Sequence, residues 1–135
     1  MRILVAEDEK NILLMFKLFL EDEGFDVVTS ANGQECMDAY HCSIIENSPF
    51  DVVILDYKMP KKDGKQVARE ILLVNPSQTI IMITAFPQEM TSFEELKIVR
   101  ILRKPFEPDD LIALLKSLDS AKNNPAATTS ITALT

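Results

Sequence analysis

The sequence of 135 residues is poor in the residues on which several common kinds of site depend: it has three glycines, two cysteines and one histidine. Three glycines are too few for a phosphate-binding loop, and none lies in a G-x-x-x-x-G-K context. One histidine and two cysteines do not provide a structural zinc site or a Ser-His-Asp triad. Cys36 and Cys42 fall in one predicted helix, so we expect reduced thiols rather than a disulfide framework.

Long apolar runs and an excess of basic residues are also absent. No run approaches the roughly 18 residues that span a membrane, and residues 1–5 lead into a strand pattern rather than a targeting sequence. We therefore expect a cytoplasmic protein without membrane contact. The 14 basic and 21 acidic residues give a net charge of −7, which argues against direct nucleic-acid binding. Residues 1–57 hold 12 of the acidic residues and three of the basic ones, so carboxylates are concentrated in the first half.

Short apolar runs alternate with segments of helical periodicity along residues 1–121. This alternation predicts an α/β domain with a doubly wound parallel sheet covered on both faces. The predicted strands are Ile3–Ala6, Phe25–Thr29, Asp51–Leu55, Thr79–Ile83 and Ile98–Leu102; the predicted helices are Lys10–Glu23, Gln34–Glu46, Lys65–Val74, a short one near Gln88–Glu95, and one from Pro108 to about Ala121. Residues 122–135 have a polar, Pro-containing composition that predicts a disordered tail or linker.

Polar residues follow four of the predicted strands. Glu7 and Asp8 follow the first strand, Asp56 the third, Thr84 the fourth and Lys104 the fifth. The carboxyl ends of parallel strands meet at one edge of the sheet, so we expect these side chains to converge there. Three carboxylates and one ammonium leave a charge that one Mg²⁺ would neutralise, and Mg²⁺ prefers such oxygen ligands. An aspartate there can act as a nucleophile toward phosphorus, with hydroxyl and ammonium groups as donors to the phosphoryl oxygens.

Four motifs carry a resemblance to a known family: V-A-E-D-E at 5–9, L-D-Y-K-M-P-K-K-D-G at 55–64, I-T-A at 83–85 and K-P-F at 104–106. On these motifs, residues 1–121 resemble the receiver domain of two-component response regulators. The resemblance implies a flavodoxin-like (βα)5 fold with five parallel strands in the order 2-1-3-4-5.

The resemblance also assigns roles to the residues at the strand ends. It implies that Asp56 is the phospho-acceptor, that Asp8, Asp56 and the backbone carbonyl of Lys58 bind Mg²⁺, and that Glu7 supports the metal through water. Thr84 and Lys104 are then expected to contact the phosphoryl group. A cis peptide bond between Lys104 and the following proline is a further expectation.

The partners follow from the same resemblance. A sensor histidine kinase or phosphotransfer protein would donate the phosphoryl group, and output would pass through a downstream protein partner or a separate output domain. The protein would catalyse only its own phosphorylation and dephosphorylation. On the first helix, Leu14 and Leu18 fall outside the predicted buried face of Ile12, Leu13, Met15, Phe16, Phe19 and Leu20, and are predicted to be a docking patch for the kinase.

The chain departs from the family near the site. Ile101 stands where the family usually has an aromatic residue that swings inward on phosphorylation, so the usual readout is not expected. Phe86 and Lys58 lie at positions that flank the path of the hydrolytic water in the family. The hypothesis is that Phe86 hinders that water and prolongs the phosphorylated state; the alternative is that Phe86 packs on the fourth helix.

Two other functions stay open. Ile101 is compatible with a receiver-like module that binds a partner without phosphorylation. A Mg²⁺-dependent aspartyl phosphatase of the haloacid-dehalogenase type is the other possibility, although such enzymes carry D-x-D after the first strand where this chain has Glu7-Asp8-Glu9. Taken singly, Asp56 can also be a helix cap, Thr84 a strand residue and Lys104 a surface lysine.

Overall fold

The computed structural model describes residues 1–90 and 99–123. Five parallel strands form one sheet in the order β2-β1-β3-β4-β5, as predicted. The strands are β1 (Arg2–Ala6), β2 (Asp26–Ser30), β3 (Val52–Asp56), β4 (Thr79–Thr84) and β5 (Val99–Arg103), and the helices are α1 (Lys10–Asp22), α2 (Gly33–Ile45), α3 (Gly64–Val74) and α4 (Pro108–Asn123).

Several boundaries differ from the predicted ones by one or two residues. β2 and β3 begin and end one residue later than predicted, and β5 ends one residue later, because pairing with neighbouring strands fixes their register: Ile3 of β1 pairs with Val52 of β3. The predicted start of β5 at residue 98 lies outside the described residues. Thr84 is the last residue of β4, paired with Arg103, rather than the residue after the strand. α4 continues to Asn123, two residues beyond its predicted end near Ala121, and the predicted tail from residue 124 onward lies outside the described residues.

The predicted fourth helix near residues 88–95 lies partly outside the described residues. Within them, Pro87–Met90 forms a 3₁₀ turn rather than the start of an α-helix. Pro87 supplies no backbone N–H, and only one turn is formed before the described segment ends, with the Glu89 N–H bonded to the Phe86 carbonyl.

The sheet is apolar on both faces because helices cover both. Alternate residues of each central strand point to opposite sides, which explains the continuous apolar runs in the sequence. Leu4, Val53 and Met82 are buried in the cluster that includes residues of α2 and α3, whereas Ile3 and Ile54 are buried in the cluster that includes residues of α1 and α4. The strands are thereby fixed between two packed layers, and their carboxyl ends form a rigid edge.

Helix α1 ends where the sequence predicts. Gly24 has a positive φ of 91°, its N–H donates to the Glu21 carbonyl, and the Phe25 N–H donates to the Leu20 carbonyl. This pair of bonds is the Schellman arrangement, in which a glycine closes the helix.

The exposed side of α1 is broader than predicted. Leu14 and Leu18 are exposed, with 54% and 61% of their surface accessible, as expected from their place on the helix. Met15, expected to pack on the sheet, is 45% exposed. It lines an open cavity together with Phe106 and Pro108.

Candidate functional site

The chain positions four of the predicted site residues through backbone bonds at the carboxyl edge of the sheet. Asp56 and Thr84 are the last residues of β3 and β4. Glu7 continues β1, with its N–H bonded to the Ser30 carbonyl at 3.1 Å, and Lys104 continues β5, with its N–H bonded to the Thr84 carbonyl at 2.8 Å. The hydrogen bonds between the strands therefore continue into the site, and they hold the backbone from which the side chains of Glu7 and Lys104 project.

Three carboxylates meet at this edge. One oxygen each from Glu7, Asp8 and Asp56 lies within 4.8 Å of the others. Glu7 and Asp56 are buried, whereas Asp8 is exposed. Oε2 of Glu7 is buried without a hydrogen-bond partner among the residues described.

The environment of Glu7 favours its neutral form. Burial is the largest cause, followed by the contact with Asp56, and together they raise the pKa of Glu7 from an ordinary 4.5 to about 8. Lys104 acts in the opposite direction but does not cancel the effect. Lys104 alone therefore does not neutralise the negative charge of the three carboxylates.

Lys104 supplies the one ammonium group that directly contacts Asp56 in the described structure. Its Nζ lies 2.8 Å from Oδ1 of Asp56. Burial opposes the charge on Lys104, but the bond to Asp56 and the nearby charges of Glu7 and Asp8 outweigh burial and raise the pKa of Lys104. The group stays charged at neutral pH. The peptide bond between Lys104 and Pro105 is cis, as predicted.

Thr84 contributes a buried hydroxyl. Its Oγ1 accepts a hydrogen bond of 2.8 Å from the N–H of Phe86, which leaves the hydroxyl proton available to another acceptor. The Phe86 ring is 43% exposed, and the Lys58 ammonium lies 5.6 Å from its centroid and 4.5 Å from that of Tyr57. Lys58 and Phe86 thus lie together beside the acceptor strand. Packing of Phe86 on the fourth helix concerns residues outside those described.

The loop after Asp56 is held close to the sheet. Asp63 caps α3 with a reciprocal pair of bonds to Gln66, and the Gly64 N–H donates to the Tyr57 carbonyl at 2.8 Å. A Cβ on Gly64 would lie 2.8 Å from the backbone oxygen of Asp56. Only glycine permits this approach of α3 to the strand that carries Asp56.

A cavity of about 520 Å³ opens from the carboxylates and was not predicted. Glu7, Asp56 and Lys104 line its polar end. Its apolar walls come from α1 and from the segment after β5; they include Ile12, Met15, Phe16, Pro105, Phe106 and Pro108. We call this space the apolar cavity. Two residues of the K-P-F motif, Pro105 and Phe106, line this cavity. The apolar pattern of α1 did not indicate a cavity between the helix and this motif.

The residues fit a small divalent cation. Three carboxylates within 4.8 Å, one of them with an unpartnered buried oxygen, are a donor set suited to a hard cation such as Mg²⁺. The same oxygens without a cation repel one another, which agrees with the raised pKa of Glu7.

Comparison with known proteins identifies the family. The sequence matches the response regulator receiver domain over residues 3–116. The chain belongs to this family. The predicted resemblance and fold are both confirmed.

Relatives of this receiver domain include both longer regulators and isolated domains. It is 34% identical to the transcriptional regulatory protein SrrA of Staphylococcus aureus over 118 residues, which are 86% of this chain and 46% of SrrA. The chain spans about half the length of the curated relatives it matches.

Two solved structures show the same fold. A receiver domain protein from Clostridium thermocellum has a TM-score of 0.74 and 31% identity, covering 90% of this chain and 96% of that one. TrrA of Thermotoga maritima, solved in complex with Mg²⁺-BeF, has a TM-score of 0.72 and 33% identity, covering 87% of this chain and 97% of that one. Among the residues that the structure describes here, no helix is long and apolar enough to span a bilayer.

Proposed function

We propose that this receiver domain is a phosphorylation-controlled signalling switch that accepts a phosphoryl group on Asp56 from a sensor histidine kinase or phosphotransfer protein. The observation that carries the proposal is the pairing of Asp56 with Lys104 at 2.8 Å inside a cluster of three carboxylates. A nucleophilic oxygen, a fixed cation and a set of metal ligands are thereby joined at one edge of the sheet.

The proposed transfer is an in-line displacement at phosphorus. An oxygen of Asp56 forms the new bond to phosphorus as the bond to the donor's nitrogen breaks. Lys104, already beside Asp56, offsets charge on the phosphoryl oxygens, and the Thr84 hydroxyl donates to one of them. Thr84 is the last residue of β4 and Lys104 follows β5, so the sheet positions both donors at the same edge as Asp56.

We assign the cation site to Asp8, Asp56 and the backbone carbonyl of Lys58, with Glu7 acting through water. Mg²⁺ bound there would supply positive charge to the phosphoryl oxygens. The unpartnered Oε2 of Glu7 and its raised pKa support the assignment, because both are relieved by a nearby cation.

The donor protein is proposed to dock on α1. Leu14 and Leu18 are one helical turn apart and exposed on the helix that follows the acidic residues. An apolar pair of this kind fits the apolar face of a helical bundle. Phosphorylation then changes the charge at Asp56, and output passes to a downstream protein partner or an output domain.

The decisive experiment is intact mass after incubation with phosphoramidate, with and without Mg²⁺. We expect wild type to gain one phosphoryl group in a Mg²⁺-dependent manner. Asp56→Asn should gain none, whereas the matched control Asp38→Asn on α2 should behave as wild type, because Asp38 is exposed and does not belong to the carboxylate cluster.

The same experiment separates the alternatives. A folded wild-type protein that never gains mass would indicate a phosphorylation-independent binding module, a function favoured by Ile101, which packs as a partly buried aliphatic residue against the core. Sustained release of phosphate over many cycles that is not explained by a short-lived adduct on Asp56 would instead indicate a phosphatase.

A further inference from the structure

The apolar cavity adjoins the residues of the proposed phosphoryl transfer, because Asp56 and Lys104 both line it. Asp56 and Lys104 form its polar end, and the cavity extends from them between α1 and the segment after β5. In an in-line displacement the leaving group points away from the attacking oxygen. The leaving group needs open space beside Asp56, and the apolar cavity provides open space there.

The walls of this space are suited to hydrocarbon. Apart from Glu7, Asp56 and Lys104, every described residue that lines the cavity is apolar. The rings of Phe16 and Phe106 stack at 6.1 Å and join the two walls. A volume of about 520 Å³ is within the range of small-ligand pockets.

The scarcity of positive charge along the cavity restricts the kind of phosphoryl donor that can bind there. A leaving group that carries further phosphates would meet no cation beyond Lys104 among the described lining residues. An alkyl or aryl group attached to a phosphoryl group matches both ends of the site, with the anion at Lys104 and the apolar part against Ile12 and Met15.

We propose that the apolar cavity binds the acyl chain of an organic acyl phosphate, so that the receiver is phosphorylated faster by longer-chain acyl phosphates than by acetyl phosphate. The proposal rests on the proposed function, since Asp56 is the acceptor. An Asp56 oxygen bonds to phosphorus, the phosphorus–oxygen bond to the acyl group breaks, and the acyl group leaves as its carboxylate with the bonding electron pair. No proton transfer is required.

The test compares butyryl phosphate with acetyl phosphate, whose carboxylate leaving groups have nearly equal basicity. The rate of mass gain at limiting donor is measured for each, with Mg²⁺ present. Two further methylene groups, if fully buried, correspond to a rate ratio of about fifteenfold, and partial burial in an open cavity gives less. We expect a ratio between about threefold and tenfold in favour of butyryl phosphate.

Matched variants locate the effect. Met15→Gln places a polar group at the rim of the cavity and should reduce the butyryl-to-acetyl ratio toward one. Leu73→Gln makes a comparable change at a residue 85% exposed on α3, outside the cavity, and should keep the wild-type ratio. Because each ratio is taken within one variant, a partial loss of folding does not imitate the result.

A binding measurement keeps the two proposals distinguishable. Butylphosphonate and methylphosphonate lack the scissile bond, and the NMR signal of the Met15 methyl group should shift with the first and not with the second. Equal rates from both donors, an unchanged ratio in Met15→Gln, or a Met15 signal insensitive to butylphosphonate would refute the cavity proposal. Absence of any adduct, with the Met15 shift present, would refute the acceptor role of Asp56 while leaving the cavity as a binding site.

Discussion

Replacing Glu7 by glutamine tests the electrostatics of the acidic cluster. The pKa of Glu7 is raised from 4.5 to about 8, first by burial and then by Asp56. When folding raises the pKa of an acidic group, its contribution to stability is complete at pH values below the pKa of the unfolded state. This contribution is lost as the pH rises through the pKa of the folded state. Without metal, the free energy of unfolding attributable to Glu7 should therefore fall by about 3 kcal/mol between about pH 6 and pH 9. Glu7→Gln carries no such charge and should lack this component.

The assay is urea unfolding in a chelating buffer at several pH values across that range. The relevant quantity is the difference between wild type and Glu7→Gln, in which the contributions of groups outside the acidic cluster cancel; what remains is the effect of Glu7 together with its coupling to Asp56 and Lys104. Glu9→Gln is the matched control, because Glu9 is exposed and its side chain makes no cap bond on α1. Excess Mg²⁺ should flatten the wild-type profile by favouring ionised Glu7. Parallel profiles for wild type and Glu7→Gln would refute the argument.

Three further changes test other parts of the site. Gly64→Ala should lower the free energy of unfolding by about 1–3 kcal/mol, measured by urea unfolding, because the new Cβ would lie 2.7 Å from the sulfur of Met82; unchanged stability would contradict the close approach. Phe86→Ala should shorten the lifetime of the phosphorylated form, followed by mass after donor removal; a longer lifetime would count against a shielding role. The double change Leu14→Ser and Leu18→Ser should slow transfer from a histidine kinase and spare labelling by phosphoramidate; equal loss in both assays would indicate misfolding.

The fold was predictable because its pattern is local. Continuous apolar strands, helix-period segments and short connections determine a parallel sheet, and the convergence of Asp56 and Lys104 follows from the carboxyl ends of parallel strands. The exact residue at which a strand begins depends on pairing with another strand, such as Ile3 with Val52, which no single segment encodes.

The features of the site that the sequence did not predict depend on how deeply each side chain is buried, which the pattern of residues along the chain does not indicate. A helical wheel places Met15 toward the sheet but does not indicate that this side chain is left half-exposed beside Phe106, so the apolar cavity was not foreseen. The hydrogen bond from the Phe86 N–H to Thr84 depends on the turn after β4. The raised pKa of Glu7 depends on the burial of its side chain. The sequence does not indicate that Glu7 is buried whereas the next residue, Asp8, is exposed.

The excess negative charge of the acidic cluster can be reduced either by a proton on Glu7 or by a bound metal ion. Three carboxylates and one ammonium give a net charge of −2 when all are ionised. A proton held by Glu7 reduces this to −1, which the raised pKa reflects. The proposed Mg²⁺ would bring the sum to zero with Glu7 ionised, so metal binding near neutral pH should release a proton. The affinity for Mg²⁺ should consequently rise as the pH rises toward about 8 and level off above it.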